Sequence, residues 1–206
     1  AILVGGLVGT YIGPYMVMIM NFFGGIINRA TELHPIPMGI IVSVVMGIVL
    51  TLPISSAALA ISLGLSGFAA GASTVGCAAN MIGFAVASFR ENGIGGFIAQ
   101  GIGTSMLQMP NIIKNPLIWI PAIVASAILG PISTRIFQME GTPMGAGMGT
   151  SGLVGQFATI DAMGASPRTL ILILLMHFIL PGLISFIVSE WMRKKGLIKP
   201  GDMKLS

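Results

Sequence analysis

The chain has 206 residues, of which 54% are hydrophobic and only 8% charged, and its mean hydropathy is +0.96. A soluble globular domain carries about 25% charged residues, so this composition excludes one and predicts an integral membrane protein. The net charge of +4 does not indicate nucleic-acid binding, because half of the ten basic residues lie after Met192: Arg193, Lys194, Lys195, Lys199 and Lys204.

The apolar runs lack the period-2 alternation of a transmembrane barrel. We therefore predict an all-α polytopic membrane protein, one transmembrane domain over residues 1–206 with about five to seven transmembrane helices and two glycine-rich re-entrant loops. The sequence begins without Met, inside an apolar run, and we expect it to be a piece of a longer chain.

The first predicted span covers residues 2–27, because about 20 apolar residues suffice to cross a bilayer. A polar cluster follows at residues 28–37, where Pro35 and Pro37 are expected to hold the backbone out of a helix. Glu32 and His34 are two positions apart, so in extended backbone they point the same way. The cluster is either part of a solute site or a plain interfacial loop.

Residues 38–52 predict a short apolar helix that ends before Pro53, and Ser55 and Ser56 can cap the next helix. Residues 57–89 are too long for one span and rich in small side chains. We expect a break near residues 71–74 and a tightly packed interior helix after it. Asn80 should face protein, and Cys77, in an apolar run, should have a structural role because nothing near it would lower the pKa of a reactive thiol.

Residues 92–116 are apolar enough for membrane depth but broken by five glycines and two prolines. Irregular backbone survives in hydrocarbon only where protein covers it or where it lines a watery cavity, and such segments are the best sequence pointer to a transporter's binding site. The pattern G-x-G-T-S at residues 101–105 recurs at residues 147–151. The repeat is either chance or two re-entrant loops that meet at one site; we predict that residues 92–110 and 141–156 are non-spanning and approach each other.

Two further spans are predicted at residues 116–137 and 170–192. His177, four residues before Pro181, is expected to be a packed, hydrogen-bonded helix residue. Glu91 needs Arg90 or a ligand hydroxyl as its partner if it is buried. A basic tail, residues 193–206, directly follows the last span, which predicts a cytoplasmic C-terminus; an anionic-lipid site would use the same charges.

Several stretches resemble a known family: GTYIGPYM from Gly9, INRATELHPIPMG from Ile27, LTLPISSAALA from Leu50, FRENGIGGFIAQGIGTSMLQMPNIIKNPLIWIP from Phe89 and GAGMGTSGLVGQ from Gly145. They are similar to the EIIC-like membrane subunits of the bacterial phosphotransferase system, some of which are described as toxin-production regulators of the perfringolysin O regulator type. A weaker similarity reaches the lactose/cellobiose branch, whose Pro, Asn-Pro and Ile-Pro steps fit Pro110, Asn115-Pro116 and Ile120-Pro121. The glutamate of that branch is missing near Gly103 or Thr104.

The resemblance implies a homodimeric subunit of the bacterial plasma membrane. It would carry a sugar to the cytoplasmic side, where a separate phosphorylated soluble subunit transfers its phosphoryl group, and it needs no cofactor. Alternatives are a membrane sensor or regulator, or a carrier of a non-sugar solute. Unpaired polar groups are costly at membrane depth, so we predict one polar cavity lined by Glu32, His34, Glu91, Asn92, Gln100, Thr104, Ser105, Gln108, Thr150 and Ser151.

Overall fold

The computed structural model describes residues 34–205 throughout and, before them, residues 14–15, 17–19, 22–23, 25–27 and 30. The span predicted over residues 2–27 falls largely outside the described part, and Glu32 falls outside it altogether. Within the described part the chain is helical and contains no strand; its one pairing of the strand type is an isolated bridge between Gly67 and Gly141.

The described residues form the following helices, in chain order. They are α1 (Pro35–Thr51), α2 (Ser56–Ser62), α3 (Gly67–Ala87), α4 (Phe89–Ile98), α5 (Met109–Lys114), α6 (Pro116–Phe137), α7 (Pro143–Ala146), α8 (Val154–Met163) and α9 (Pro167–Lys194). A π-turn, Ala99–Gly103, prolongs α4, and a 3₁₀ turn, Ser105–Gln108, leads into α5. Among the residues that the structure describes, three helices are long and apolar enough to cross a membrane: α3, α6 and α9.

Helix α3 is the centre of the bundle. Its most apolar window is 89% buried, against 50% for that of α6 and 39% for that of α9. Small residues allow this position, because α1 and α6 can approach its backbone closely. A Cβ at Gly76 would lie 2.5 Å from the backbone carbon atoms of Ser43 in α1. Close backbone approach through glycine is how helices pack in a membrane, where dispersion contacts replace the hydrophobic effect.

Two local expectations were wrong. Pro35 and Pro37 do not exclude a helix, since they lie in the first turn of α1, where the backbone N–H groups have no intrahelical partner and a proline removes nothing. No break occurs at residues 71–74, because α3 runs through them. The break lies earlier, at residues 63–66, next to Gly64 and Gly67, which both have positive φ. Small residues inside α3 serve packing rather than termination.

Proline and π-helical segments distort the two outer spans. Pro131 precedes the π-segment Ile132–Phe137 of α6, and Pro181 follows the π-segment Leu174–Ile179 of α9. A proline inside a helix has no N–H to donate and its ring displaces the carbonyl four residues earlier. In α9 the carbonyl four residues before Pro181 belongs to His177, inside the π-segment, so the wider turn accommodates the proline; in α6 the π-segment follows Pro131 and has no such relation to it.

Candidate functional site

The first G-x-G-T-S stretch, residues 101–105, forms a corner between α4 and α5, in which a π-turn ends and a 3₁₀ turn begins. Gly93, with φ of 60°, kinks α4, and the helix then widens into the π-turn before Thr104 adopts extended backbone. The Thr104 hydroxyl accepts a hydrogen bond from the Met106 N–H at 3.1 Å. This is an N-cap interaction, so Thr104 starts the 3₁₀ turn that follows.

The second G-x-G-T-S stretch, residues 147–151, lies against α2 and α3. A Cβ at Gly149 would stand 2.7 Å from backbone atoms of Cys77 and Ala78, and the φ of Gly149 is +54°. Gly152 and Leu153 are also left-handed, with φ of 53° and 60°. The second stretch therefore needs glycine for close packing and for its turn, whereas a Cβ at Gly103 in the first stretch would meet nothing within 4 Å.

The two stretches are hydrogen-bonded to each other. The Thr150 hydroxyl donates to the Gly101 carbonyl at 2.6 Å, and the Ser151 hydroxyl donates to the Gly103 carbonyl at 2.9 Å. Thr150 is fully buried, while Gly103 is exposed, so the contact runs from the interior to the surface. The prediction that these two segments approach each other is confirmed. We call residues 99–105 and 147–153 the paired loops.

Ser105 belongs to a different buried network, on the side of α1 and α3. Its hydroxyl lies 2.9 Å from that of Thr51. Asn80, also in this region, accepts from the Trp119 indole N–H at 2.9 Å and donates to the Ser126 hydroxyl at 3.1 Å. Asn80 faces protein as predicted. Since every polar atom of its amide has a partner, its burial at the centre of the bundle leaves no donor or acceptor unpaired.

The C-terminal residues are not a loose tail. Residues 196–205, here called the strap, fold back onto α4 and α5. The Glu91 carboxylate accepts from the Arg193 guanidinium at 3.0 Å and from the backbone N–H groups of Met203, at 2.9 Å, and Gly201, at 3.2 Å. Arg90, the partner considered from the sequence, instead pairs with Glu190 at 3.0 Å.

Three more of the predicted residues belong to the same arrangement. Asn92 donates to the Met203 carbonyl and accepts from the Leu205 N–H, both at 2.8 Å. Gln108 donates to the Met203 carbonyl at 2.9 Å and to the Gln100 side-chain oxygen at 2.8 Å. Gln100 in turn donates to the Ser88 hydroxyl and the Gly96 carbonyl, both at 2.9 Å.

The predicted site residues thus occupy several places. Glu91, Asn92 and Gln108 bond to the strap, whereas Gln100, Thr104, Ser105, Thr150 and Ser151 belong to the paired loops. Within the first loop, Gln100 is bonded to Gln108 and Ser105 to Thr51. His34 is exposed at the start of α1. A cavity of about 350 Å³ beside the strap is lined by one of them, Glu91, with Arg90, Arg193, Ile198 and Pro200.

Two further polar residues, Asn111 and Asn115, were not among the predicted site residues. Asn111 donates to the Lys204 carbonyl at 3.0 Å, and Asn115 donates to the Leu197 carbonyl at 3.1 Å and to Asp202 at 2.8 Å. The run QMPNIIKNP, residues 108–116, could have indicated them, because Asn111 and Asn115 follow Gln108 closely and three nearby amides can bind one peptide or ligand. His177 is fully buried and its Nδ1 lies 3.0 Å from the Gln156 amide, so the expectation of a packed, hydrogen-bonded residue is confirmed.

One comparison with known proteins identifies a relationship. The family model described as "Phosphotransferase system, EIIC" matches residues 1–205, nearly the whole chain. No curated protein matches the chain, and no solved structure matches it either.

Proposed function

Because the chain belongs to the EIIC family of the phosphotransferase system, we propose that it carries a sugar across the bacterial plasma membrane for phosphorylation by a separate phosphorylated subunit. The family and the apolar helices make it a membrane permease component. The sugar, the soluble partner, the homodimer, the re-entrant character of the paired loops, the five to seven spans and the cytoplasmic C-terminus belong to the proposal.

The contact between the paired loops is the observation that supports a solute site there. Two segments outside the regular α-helices meet among apolar helices, held by hydroxyl-to-carbonyl bonds at Thr150 and Ser151. Transporters place their substrate where helices are interrupted in this way, because interrupted backbone offers hydrogen-bonding groups at membrane depth. The groups at this contact are uncharged hydroxyls and carbonyls. They suit a neutral solute with many hydroxyl groups.

A sugar hydroxyl can replace one of these bonds without leaving a polar group unpaired. It can donate to the Gly103 carbonyl and accept from the Ser151 hydroxyl, whose mutual bond is at the exposed end of the contact. A bare cation could satisfy the carbonyl but not the hydroxyl proton. We therefore place entry of the solute at Ser151 and Gly103, with the buried Thr150–Gly101 bond as the fixed end.

The other predicted residues have different roles in this proposal. Thr104 borders the loop contact. Gln100 and Ser105 bond the first paired loop to Ser88 and Thr51, and Gln108 bonds to Gln100. His34 and Glu32 remain proposed contacts from the N-terminal side. Glu91 and Asn92 are proposed as solute contacts from the strap side, and a carboxylate or imidazole in the site could take the hydroxyl proton during phosphoryl transfer.

Uptake by the full-length protein in lipid vesicles tests the proposal. A panel of radiolabelled sugars is offered with and without the phosphorylated soluble subunits, and the retained label is measured. Ser151→Ala removes one neutral hydrogen bond, so the apparent affinity should fall roughly 2- to 13-fold. Thr159→Val is the matched control, because the Thr159 hydroxyl donates to the Gly155 carbonyl of its own helix.

The outcomes separate the candidates. Uptake that depends on the phosphorylated subunits and weakens in Ser151→Ala, but not in Thr159→Val, supports the proposal. Sugar binding without uptake under either condition indicates a sensor or regulator. Equal effects of the two substitutions would show that the solute does not enter at the paired loops.

A further inference from the structure

The strap is recognised mainly through its backbone. Side chains of α4, α5 and the turn before α5 bond to main-chain groups of the strap: Glu91 to two N–H groups, Asn92 to one N–H and one carbonyl, and Gln108 and Asn111 to one carbonyl each. Such a set of carboxylate and amide groups is what an extended peptide requires as a binding site. It differs from a charged surface that attracts a lysine-rich tail.

Two strap side chains fill apolar pockets beside these bonds. Ile198 and Met203 are 1% and 0% exposed, and they pack in one cluster with Phe84, Ile112 and Ile118. The lysines of the strap, Lys199 and Lys204, are exposed. Apolar anchors and main-chain bonds therefore hold the segment, while its positive charges face outward.

One amide joins the strap to the first paired loop. The Nε2 group of Gln108 donates to the Met203 carbonyl and to the Gln100 side chain, and Gln100 lies in the π-turn directly before Gly101, the acceptor of the Thr150 hydroxyl. Gln100 and Gln108 are both fully buried. Removal of the strap takes the Met203 acceptor from Gln108, so its amide must turn to water or to another group, which alters its bond to Gln100 in the first paired loop.

We propose that Glu91, Asn92, Gln108 and Asn111 form an intramolecular peptide-binding site for the strap, and that the bound strap holds the first paired loop against the second. Its effect on solute handling rests on the proposed function, whereas the binding of the strap and its effect on the loop do not. Release of the strap loosens the Thr150–Gly101 contact. The segment therefore controls how readily the paired loops separate.

Hydrogen exchange of the full-length protein in lipid nanodiscs, read by mass spectrometry, tests both parts. Glu91→Gln removes the negative charge and one of the two oxygen acceptors. Exchange at the Gly201 and Met203 amides should then rise roughly 10- to 150-fold, and exchange in residues 99–105 should rise with it. Glu190→Gln is the control, since it breaks the neighbouring Arg90–Glu190 ion pair without touching the strap.

A second variant lacks residues 196–206 altogether and is probed with a synthetic peptide of that sequence. The deletion should raise exchange in residues 99–105, and the added peptide should bind and restore protection there. Gln108→Met should raise exchange in the loop while the strap amides at Glu91 keep most of their protection, because the substitution removes the link to Gln100 and one of the bonds to the strap, whereas the bonds from Glu91, Asn92 and Asn111 remain.

Three results would overturn the inference. They are strap amides that exchange alike in Glu91→Gln and Glu190→Gln, a loop whose exchange is unchanged by deletion of the strap, and a peptide that fails to restore protection. Labelled-sugar uptake is measured on the same proteins. If hydrogen exchange changes as expected but no variant takes up sugar, the proposed function is refuted and the strap inference stands. If sugar is taken up but exchange in residues 99–105 does not respond to the strap, the proposed function stands and the strap inference is refuted.

Discussion

Substitution of Gly76 by alanine tests the close crossing of α1 and α3, on which the placement of Ser105 and Asn80 depends. A Cβ at this position would stand 2.5 Å from the Ser43 backbone carbons, and closer to the Ser43 carbonyl oxygen. Ordinary contact begins at 3.4 Å, so α1 must retreat by about 1 Å. Backbone cannot rotate away as a side chain can.

A clash with backbone should cost about 3 kcal/mol, the upper end of the usual overpacking range. Alanine returns up to about 1 kcal/mol through its higher helix propensity, so the expected net loss is about 2–3 kcal/mol. For a chain of this size this corresponds to a fall of roughly 4–12 °C in the unfolding midpoint. Gly95→Ala is the matched control. Gly95 is helical and a Cβ there would meet nothing within 4 Å, so its midpoint should stay or rise.

Cys77 supplies the assay. It is the one cysteine of this sequence and is fully buried, so a thiol-reactive fluorophore labels it only when α3 opens. Heating the detergent-solubilised protein with the fluorophore gives the midpoint, and tryptophan fluorescence gives a second probe that does not depend on the residue next to Gly76. Equal midpoints for Gly76→Ala and Gly95→Ala would refute the close crossing.

Three further predictions follow from single groups. Asn80→Leu leaves the Trp119 indole N–H without its acceptor and should cost about 1–3 kcal/mol, seen as a lower unfolding midpoint and an altered tryptophan emission; an unchanged spectrum would contradict it. The Lys199 backbone N–H, aided by the Asn115 amide and the charges of Lys199 and Arg193, holds the pKa of Asp202 below its ordinary value of 3.8 despite partial burial. A depressed pKa stabilises the strap above about pH 4 and that contribution is lost as the pH falls through the folded value, so protection of the Lys199 amide should decline on acidification, and less so in Asp202→Asn. A cysteine placed at Ser206 should react with an impermeant maleimide only after the cells are permeabilised, because the basic C-terminus is expected to be cytoplasmic; labelling of intact cells would reverse that orientation.

The sequence alone was sufficient for the class of fold and for the helices with an unambiguous signal. Few charges and long apolar runs predict helical spans. The spans predicted at residues 116–137 and 170–192 correspond to α6 and α9. The contact between the two G-x-G-T-S stretches was also predictable. Both stretches combine broken backbone with hydroxyl groups, and such groups at membrane depth must find partners inside the protein.

Helix boundaries near small residues and prolines were less predictable. Gly71 suggests a break over residues 71–74 when the chain is considered locally, but in the structure Gly71 and Gly76 permit the backbone of α3 to approach Met139 and Ser43 closely. A proline stops a helix when it lies in the interior but is tolerated in the first turn, which is where Pro35 and Pro37 lie. The residue type is the same in both cases, and only the packing of the surrounding chain decides between the two uses.

The partners of the polar residues were decided by the tertiary structure. The sequence shows that a buried Glu91 needs a partner, and the adjacent Arg90 is the obvious one. The observed partners are Arg193, Gly201 and Met203, about a hundred positions away. A carboxylate or amide requires a donor or acceptor of the right kind but does not specify which part of the chain provides it, so only the folded chain shows that residues expected to hold a solute also hold the protein's own C-terminal strap.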